Sequence, residues 1–255
     1  MKIVTWNVNG IRAREANVLA WLEAEQPDYL LLQEIKCEEA SFPVSFAKAG
    51  WHAAISGHKG FNGVEVLAKS PLKVTQHSLP EFKEEVPKAR YIEVDTGEFL
   101  IGNLYLPNGN SGGDAGYANK IDFMKALLVH AEKLLRDERP FLLAGDFNVC
   151  PEPVDCAKGA LSEGDALIRP ETIENYWPLI WAGLTDGLRA VHPHGAMYTF
   201  WDYQGGAFDR NRGVRIDHVL LSPALTERLV DVKVDRTERN RANPSDHAPV
   251  VAQIR

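Results

Sequence analysis

ARYIEVDTGEFLIGNLYLP, residues 89–107, reads as two strands, 89–95 and 99–106, on either side of an Asp-Thr-Gly turn. The same habit extends back to Trp51, with strand-like runs at 51–55, 63–69 and 72–79 separated by Gly and Pro and no helical spacing between them. Parallel neighbours need a crossover of a dozen or more residues, usually a helix, so part of the sheet built here must be antiparallel. Further out, Lys2–Asn7, Asp28–Glu34, Phe99–Leu106, Pro140–Asp146, Arg215–Ser222 and Ala248–Ile254 are near-continuous apolar runs, the mark of buried strands. Val18, Leu19 and Leu22 give residues 12–25 an apolar helical face. Ile121, Met124, Leu127, Leu128, Leu134 and Leu135 do the same for 117–137. Ile173–Trp181 reads as a third helix, with Pro170 near its start. The pattern predicts an α/β fold of mixed sheets covered by helices. With no repeat, low-complexity run or linker, it predicts one domain over residues 1–255.

Bulk properties narrow the class. A chain of 255 residues that is 45% hydrophobic and 25% charged has the composition of an ordinary globular protein with room for one large core. The opening MKIVTWNVNG lacks the apolar segment of a secretory signal. The longest apolar runs, such as Leu30–Leu32 and Val219–Leu221, are too short to span a bilayer, so no membrane partner is expected. Cys37, Cys150 and Cys156 are too few and odd in number for a disulfide framework, which points to a reducing, cytoplasmic setting. No histidine stands at zinc-finger spacing beside Cys150 and Cys156. The net charge of −7 is wrong for a protein that holds nucleic acid by bulk electrostatics. It remains compatible with DNA if carboxylates gather around a cation and the basic residues lie elsewhere. Arg12 and Arg14, then Arg210, Arg212 and Arg215, then Arg236, Arg239 and Arg241 form local basic groups that, taken alone, read as solvated loop charges.

Chemistry enters where polar residues interrupt this framework. Asn7 ends the first strand and Glu34 the second, while Asp146 and Asn148 follow an apolar strand in FLLAGDFN. Asp217 sits inside RIDHVLL, and Asp246-His247 directly precedes the last strand. One carboxylate at a strand end is ordinary, but several on separate strands point to a ligand site beyond the strand ends. Asp217, flanked by apolar residues, must be paired or ligated if it is buried. The inventory is all oxygen apart from one imidazole, which suits Mg²⁺ or Mn²⁺ rather than zinc. A hard cation beside a histidine and spare carboxylates points to phosphate-ester cleavage.

WNVNGIRAR, LLQEIKC, LYLPNG, AGDFNV, GVRIDHVLLS and PSDHAPV, in this order and spacing, closely resemble the exonuclease III family of abasic-site endonucleases, within the endonuclease/exonuclease/phosphatase superfamily. The resemblance runs from Lys2 to Ile254. GDFN and SDH are common to the whole superfamily; LQEIKC, YLPNG and the RIDH strand are more specific. The implied fold is a four-layer α/β sandwich, two mixed β-sheets packed face to face with helices outside. The implied activity is metal-dependent cleavage of the phosphodiester 5′ to abasic sites, with 3′ end trimming and 3′→5′ exonuclease action on duplex DNA, by a monomer. The resemblance assigns metal binding to Glu34, with Asn7 and Asp246 completing or supporting the shell, and counts Asp146, Asn148 and His247 among the metal-binding residues. It makes Asp146 the group that orients or deprotonates water, Asn148 a donor to the phosphate and Tyr105 a catalytic tyrosine. His247 becomes a phosphate contact with Asp217 as its carboxylate partner. Phe200, Trp201, Val214 and Ile216 match an apolar pocket for a flipped-out, base-free sugar. Lys36, Asn108 and the loop Gly57–Gly63 match contacts to the DNA backbone.

Two features depart from the family. Glu65 stands where a small apolar residue is usual, and so needs a partner. Residues 151–170, adjoining the site, follow no relative closely. Two other classes share part of the pattern. Small-molecule or lipid phosphoesterases share GDFN and SDH but not QEIKC, YLPNG or the aromatic pair. Non-catalytic relatives resembling catabolite-repression control proteins would be free to lose the ligand set, which here stays chemically competent throughout.

Overall fold

The computed structural model describes residues 1–83 and 88–255. In chain order the regular elements are β1 (Lys2–Asn7), α1 (Ile11–Glu25), β2 (Tyr29–Gln33), α2 (Val44–Lys48), β3 (His52–Ser56), β4 (Val64–Ala68), β5 (Lys73–Gln76), β6 (Tyr91–Asp95) and β7 (Leu100–Tyr105). They continue with α3 (Gly113–Arg136), β8 (Phe141–Asp146), α4 (Pro170–Trp181), β9 (Thr185–Asp186), α5 (Gly187–Val191), β10 (Asp217–Leu221), α6 (Pro223–Thr226), β11 (Leu229–Val234) and β12 (Val250–Ile254). Two six-stranded sheets result, ordered β11-β12-β1-β2-β4-β3 and β5-β6-β7-β8-β10-β9. Each holds one parallel pair, β1 with β2 and β7 with β8, among antiparallel neighbours. Those pairs are the two places where a helix, α1 or α3, supplies the crossover. From β3 to β7, where the sequence offers no such helix, all pairing is antiparallel.

The alternation of side chains along a strand builds the layers. Ile3, Leu31, Val64 and Val66 of one sheet meet Ile92, Val94, Ile101, Leu142, Ala144 and Val219 of the other in the central core. On one outer face Val4, Trp6, Leu30 and Leu32 pack under Val18, Trp21 and Leu22 of α1. On the other, Leu100, Leu104, Leu143 and Leu220 pack under Phe123, Met124 and Leu127 of α3 and under Tyr176 and Leu179 of α4. The expected four-layer sandwich is therefore the observed one. The sequence reading missed β11, whose LVDVKV alternates, because its outward residues are exposed and it carries no long apolar run.

Burial corrects the reading of the basic groups. Arg215 is fully buried and Arg239 nearly so. Arg215 grips Asp155 through Nε at 2.7 Å and Nη2 at 2.8 Å, and Asp186 through Nη1 at 2.7 Å. Arg189 adds a second guanidinium to Asp155. Residues 151–156 are thus tied to the base of β10 by ion pairs.

Glu65, in β4, is fully buried on the outer face of its sheet, opposite Leu32 and Ile55. Neither carboxyl oxygen has a hydrogen-bond partner among the described residues. The partner that the sequence demands is not found among the described residues; burial instead raises this carboxyl well above the usual range, so it stays protonated. A proton held in the folded state but released by the unfolded chain makes stability fall as pH rises above the ordinary carboxylate range, by about 1.4 kcal/mol per unit. Glu65→Gln removes this penalty. Urea unfolding at pH 5 and pH 8 should show the variant gaining on the wild type as pH rises. A difference that does not change with pH would mean that the carboxyl is paired.

Candidate active site

The C-terminal ends of the two parallel pairs meet at one edge of the sandwich, and a cleft of about 690 Å³ opens there. Asn7, Tyr105, Asp146 and Asp217 each continue the inward-facing set of their strand, so alternation alone aims them at the space between the sheets. Glu34 does not follow that rule. Gln33 takes the inward position at the end of β2, and Glu34 reaches the cleft because its backbone turns left-handed, at φ 51°. Lys36 and Asn148 are also left-handed, at φ 55° and 50°. Such residues cluster where a fold fixes side chains for function. Gly145 is required for a different reason: a Cβ there would lie 1.9 Å from the carbonyl oxygen of Leu104 on the neighbouring strand.

Asn7 links the floor of the site. Its amide nitrogen donates to Glu34 Oε1 and to Asp146 Oδ2, both at 3.0 Å, while its oxygen accepts from Asn9 N. The remaining oxygen of Glu34 pairs with Lys36 Nζ at 2.9 Å. Burial works to raise Glu34, but Asn7 and Lys36 outweigh it and hold it below its ordinary value. Asp146 is raised to about 7, first by burial and then by Asp217 and Glu34, against His247 and Asn7. His247 stands between carboxylates, with Nδ1 2.8 Å from Asp217 Oδ2 and Nε2 3.8 Å from Asp146 Oδ2. Burial opposes its charge, yet Asp217, Asp146 and Asp246 push it up to about 10. The Asp217 pairing demanded by its apolar flanks is therefore found. Burial, then the charges of Glu34 and Asp146, raise the Tyr105 phenol, which stays protonated.

The ligand atoms of Asp146, Asp217 and His247 lie within 4.8 Å of one another, a spacing that could hold a metal. Glu34, Asp146 and Asp246 also line the cleft and present carboxylate oxygens to it. That set is hard and anionic, as Mg²⁺ or Mn²⁺ requires.

Around the floor, Asn148 donates its amide to the Leu106 carbonyl and accepts from Asn108 Nδ2, each at 2.9 Å. Phe200, Val214 and Ile216 line the cleft as expected, with Phe200 edge-on to His247 at 4.9 Å between ring centroids. Trp201 does not. In an extended segment its side chain leaves on the opposite side from Phe200, where it packs fully buried against Phe208 under Arg236. It backs the pocket rather than lining it. The other wall comes from the divergent segment, through Ala160, Leu161, Ser162, Asp165 and Leu167. Gly57–Gly63 lies beside the loop after β2: Ile35 N and Lys36 N donate to the carbonyls of Gly63 and Asn62, and the exposed tip stacks His58 on Phe61.

Sequence reading missed two contributors. Asn9 joins Lys36, Arg14 and Asp246 through hydrogen bonds, and nothing in a lone loop asparagine signals that. Lys120 is fully buried beneath the loops, and burial draws its ammonium down to about 7 against Asp146 and Asp165. A signal existed in this case: Lys120 falls on the stripe of Phe123, Met124, Leu127 and Leu134, a position the periodicity reserves for apolar residues.

Residues 4–247 match the model of the endonuclease/exonuclease/phosphatase family. The chain is 34% identical to exodeoxyribonuclease III of Haemophilus influenzae, with all of both chains covered. It superposes with TM-score 0.94 and 36% identity on a 3′ phosphatase from Neisseria solved with a product DNA hairpin, covering 100% of this chain and 99% of that one. An AP endonuclease from Archaeoglobus fulgidus gives TM-score 0.93 at 33% identity, with the same coverage. Sequence, fold and the acidic cleft agree, and the chain belongs to the endonuclease/exonuclease/phosphatase family, within its exonuclease III group of nucleases.

Proposed function

We propose that this nuclease is a divalent-metal-dependent DNA phosphodiesterase that cuts 5′ to abasic sites in duplex DNA and trims blocked 3′ ends, with 3′→5′ exonuclease action. The observation that carries this reading is one cleft with a carboxylate floor and an apolar wall: Glu34, Asp146 and the Asp217–His247 pair beside Phe200, Val214 and Ile216. The floor suits phosphoester chemistry and the wall suits a sugar without its base. The activities and the DNA hairpin named for the relatives support it. We assign the chain one domain, acting as a monomer in the cytoplasm, where its three free cysteines stay reduced. Among the described residues no helix is long and apolar enough to cross a membrane.

Glu34, Asp146 and Asp246 would hold Mg²⁺ or Mn²⁺, with Asn7 keeping Glu34 and Asp146 together and Asn148 flanking them. Bound there, the cation would supply positive charge against the phosphate oxygens. Asp146 takes the proton from the attacking water, whose oxygen bonds to phosphorus as the 3′ oxygen leaves with the electron pair of the broken bond. His247, oriented by Asp217, donates to a phosphate oxygen, and Asn148 offers its second N–H. Tyr105, protonated, donates and does not act as a base. Lys36 and Asn108 contact the backbone phosphates.

One experiment tests the reading: labelled duplexes with an abasic analogue, a 3′-phosphate or a recessed 3′ end, with Mg²⁺ or EDTA, wild type beside Phe200→Ala. The wild type should cut the abasic duplex only with metal. Phe200→Ala should lower the ratio of abasic to intact cutting by roughly tenfold or more, the scale of unfilling an apolar pocket. Activity in EDTA, or indifference to DNA with turnover of inositol phosphates, would sink the reading. An unchanged ratio would put the pocket elsewhere.

A further inference from the structure

We propose that Lys120 is a positioning residue for phosphoester cleavage, its ammonium gathering the carbonyls behind two active-site loops so that the side-chain amides of Asn108 and Asn148 face the substrate. This rests on the function proposed above and names a residue outside the cleft. Lys120 belongs to α3, the crossover between β7 and β8, and reaches from that outer layer to the underside of the loops after both strands. Its Nζ lies 2.6 Å from the carbonyl oxygen of Asn148, 3.1 Å from that of Asn108 and 3.3 Å from that of Pro107. Three acceptors about one nitrogen engage all three N–H bonds of an ammonium. None of the described carboxylates forms a salt bridge with it, so the three carbonyls take the place of a counter-ion.

The consequence follows from backbone geometry. A carbonyl turned into the cleft would oppose a phosphate, and the end of a β-strand leaves such carbonyls without ladder partners. Lys120 draws those of Asn108 and Asn148 backwards together. In front, Asn108 Nδ2 then meets Asn148 Oδ1 at 2.9 Å, and Asn148 N meets Asp146 Oδ1 at 2.9 Å. The loops are also fitted to the lysine stem: a Cβ on Gly109 would lie 2.7 Å from Lys120 Cδ. Lys120 touches no part of the open cleft, so whatever it contributes to turnover passes through the loops it holds.

The test is a double-mutant cycle between Lys120 and Asn148, using Lys120→Met and Lys120→Gln. Turnover is measured on the abasic duplex and on a simple aryl phosphodiester, so that failure of the DNA reading leaves this test standing. In the wild-type background Lys120→Met should lower kcat about tenfold or more with KM changed less than about threefold, since the loss is of orientation and not of binding. In an Asn148→Ala background the same change should cost less than about threefold, because the group being positioned is gone. Thermal unfolding of each variant separates lost orientation from lost fold. Equal losses in both backgrounds would overturn the proposal. So would a loss confined to KM, or failure of both Lys120 variants to fold, which would make Lys120 a residue of the fold alone.

Discussion

Asp146→Asn should lower turnover by roughly 10²-fold or more while leaving DNA binding nearly intact, the scale of losing a general base. The substitution keeps the shape of the side chain, and its remaining oxygen can still accept from Asn148 N, as Asp146 Oδ1 does at 2.9 Å. What disappears is the lone pair that takes the proton, together with one of the negative charges that keep His247 protonated. His247→Ala should cost a comparable factor by a different route, through loss of a charged donor to the phosphate. Binding should survive in both, because most affinity for DNA comes from backbone phosphates contacted elsewhere. Single-turnover cleavage and fluorescence anisotropy on the same abasic duplex make the comparison. Near wild-type cleavage by either variant would remove its assigned role, and a matched loss of binding would mean the site had collapsed.

Arg215→Met should destabilise the fold by about 3–5 kcal/mol, the range for breaking a buried ion pair from one side. The guanidinium is fully buried and engages both oxygens of Asp155 and one of Asp186. Asp155 stays fully buried and Asp186 largely so, and only Asp155 retains a second guanidinium, from Arg189. The backbone N–H of residue 215 still donates to the Asp155 carbonyl, as it does at 2.8 Å, so the first turn of the divergent segment keeps that main-chain tie and loses the ion pairs of the guanidinium. Urea unfolding at neutral pH measures the loss. The variant that unfolds like the wild type would show that Arg189 suffices. Acid gives an independent check with a known sign. Asp155 and Asp186 are held below their ordinary range, with Arg215 outweighing burial. Their contribution is present above the usual carboxylate range and is lost as pH falls through it. The deficit of the variant should therefore shrink in acid.

Much of this protein was legible before any coordinate. The apolar runs gave most strands of both sheets, all but β9 and β11, and the helix-free stretch from Trp51 to Leu106 required antiparallel pairing there. That is the pairing observed in β3 to β7. These features are local: a period of two or of 3.6 in hydrophobicity is a property of neighbouring residues. Asp217 was legible for a related reason, since a charge inside an apolar strand carries its need for a partner with it, and His247 supplies one.

Tertiary structure decided what depends on where a chain turns and what lies behind it. Glu34 enters the cleft through a left-handed backbone, against the alternation of its strand. Phe200 and Trp201 are adjacent and chemically alike, yet an extended backbone sends one to the cleft and the other into a buried cluster with Phe208. Arg215 reads like its neighbours Arg210 and Arg212 in the sequence; only the arrival of Asp155 and Asp186 from distant segments buries it. Glu65 looked as though it needed a partner, and the fold answered with a proton. The sequence by itself determined most of the strands, the three long helices and the kind of chemistry, because local periodicity and residue type carry that information. Which side chains meet, which are desolvated and which charges survive was decided by packing between segments far apart in the chain, because desolvation and pairing are properties of the assembled interior.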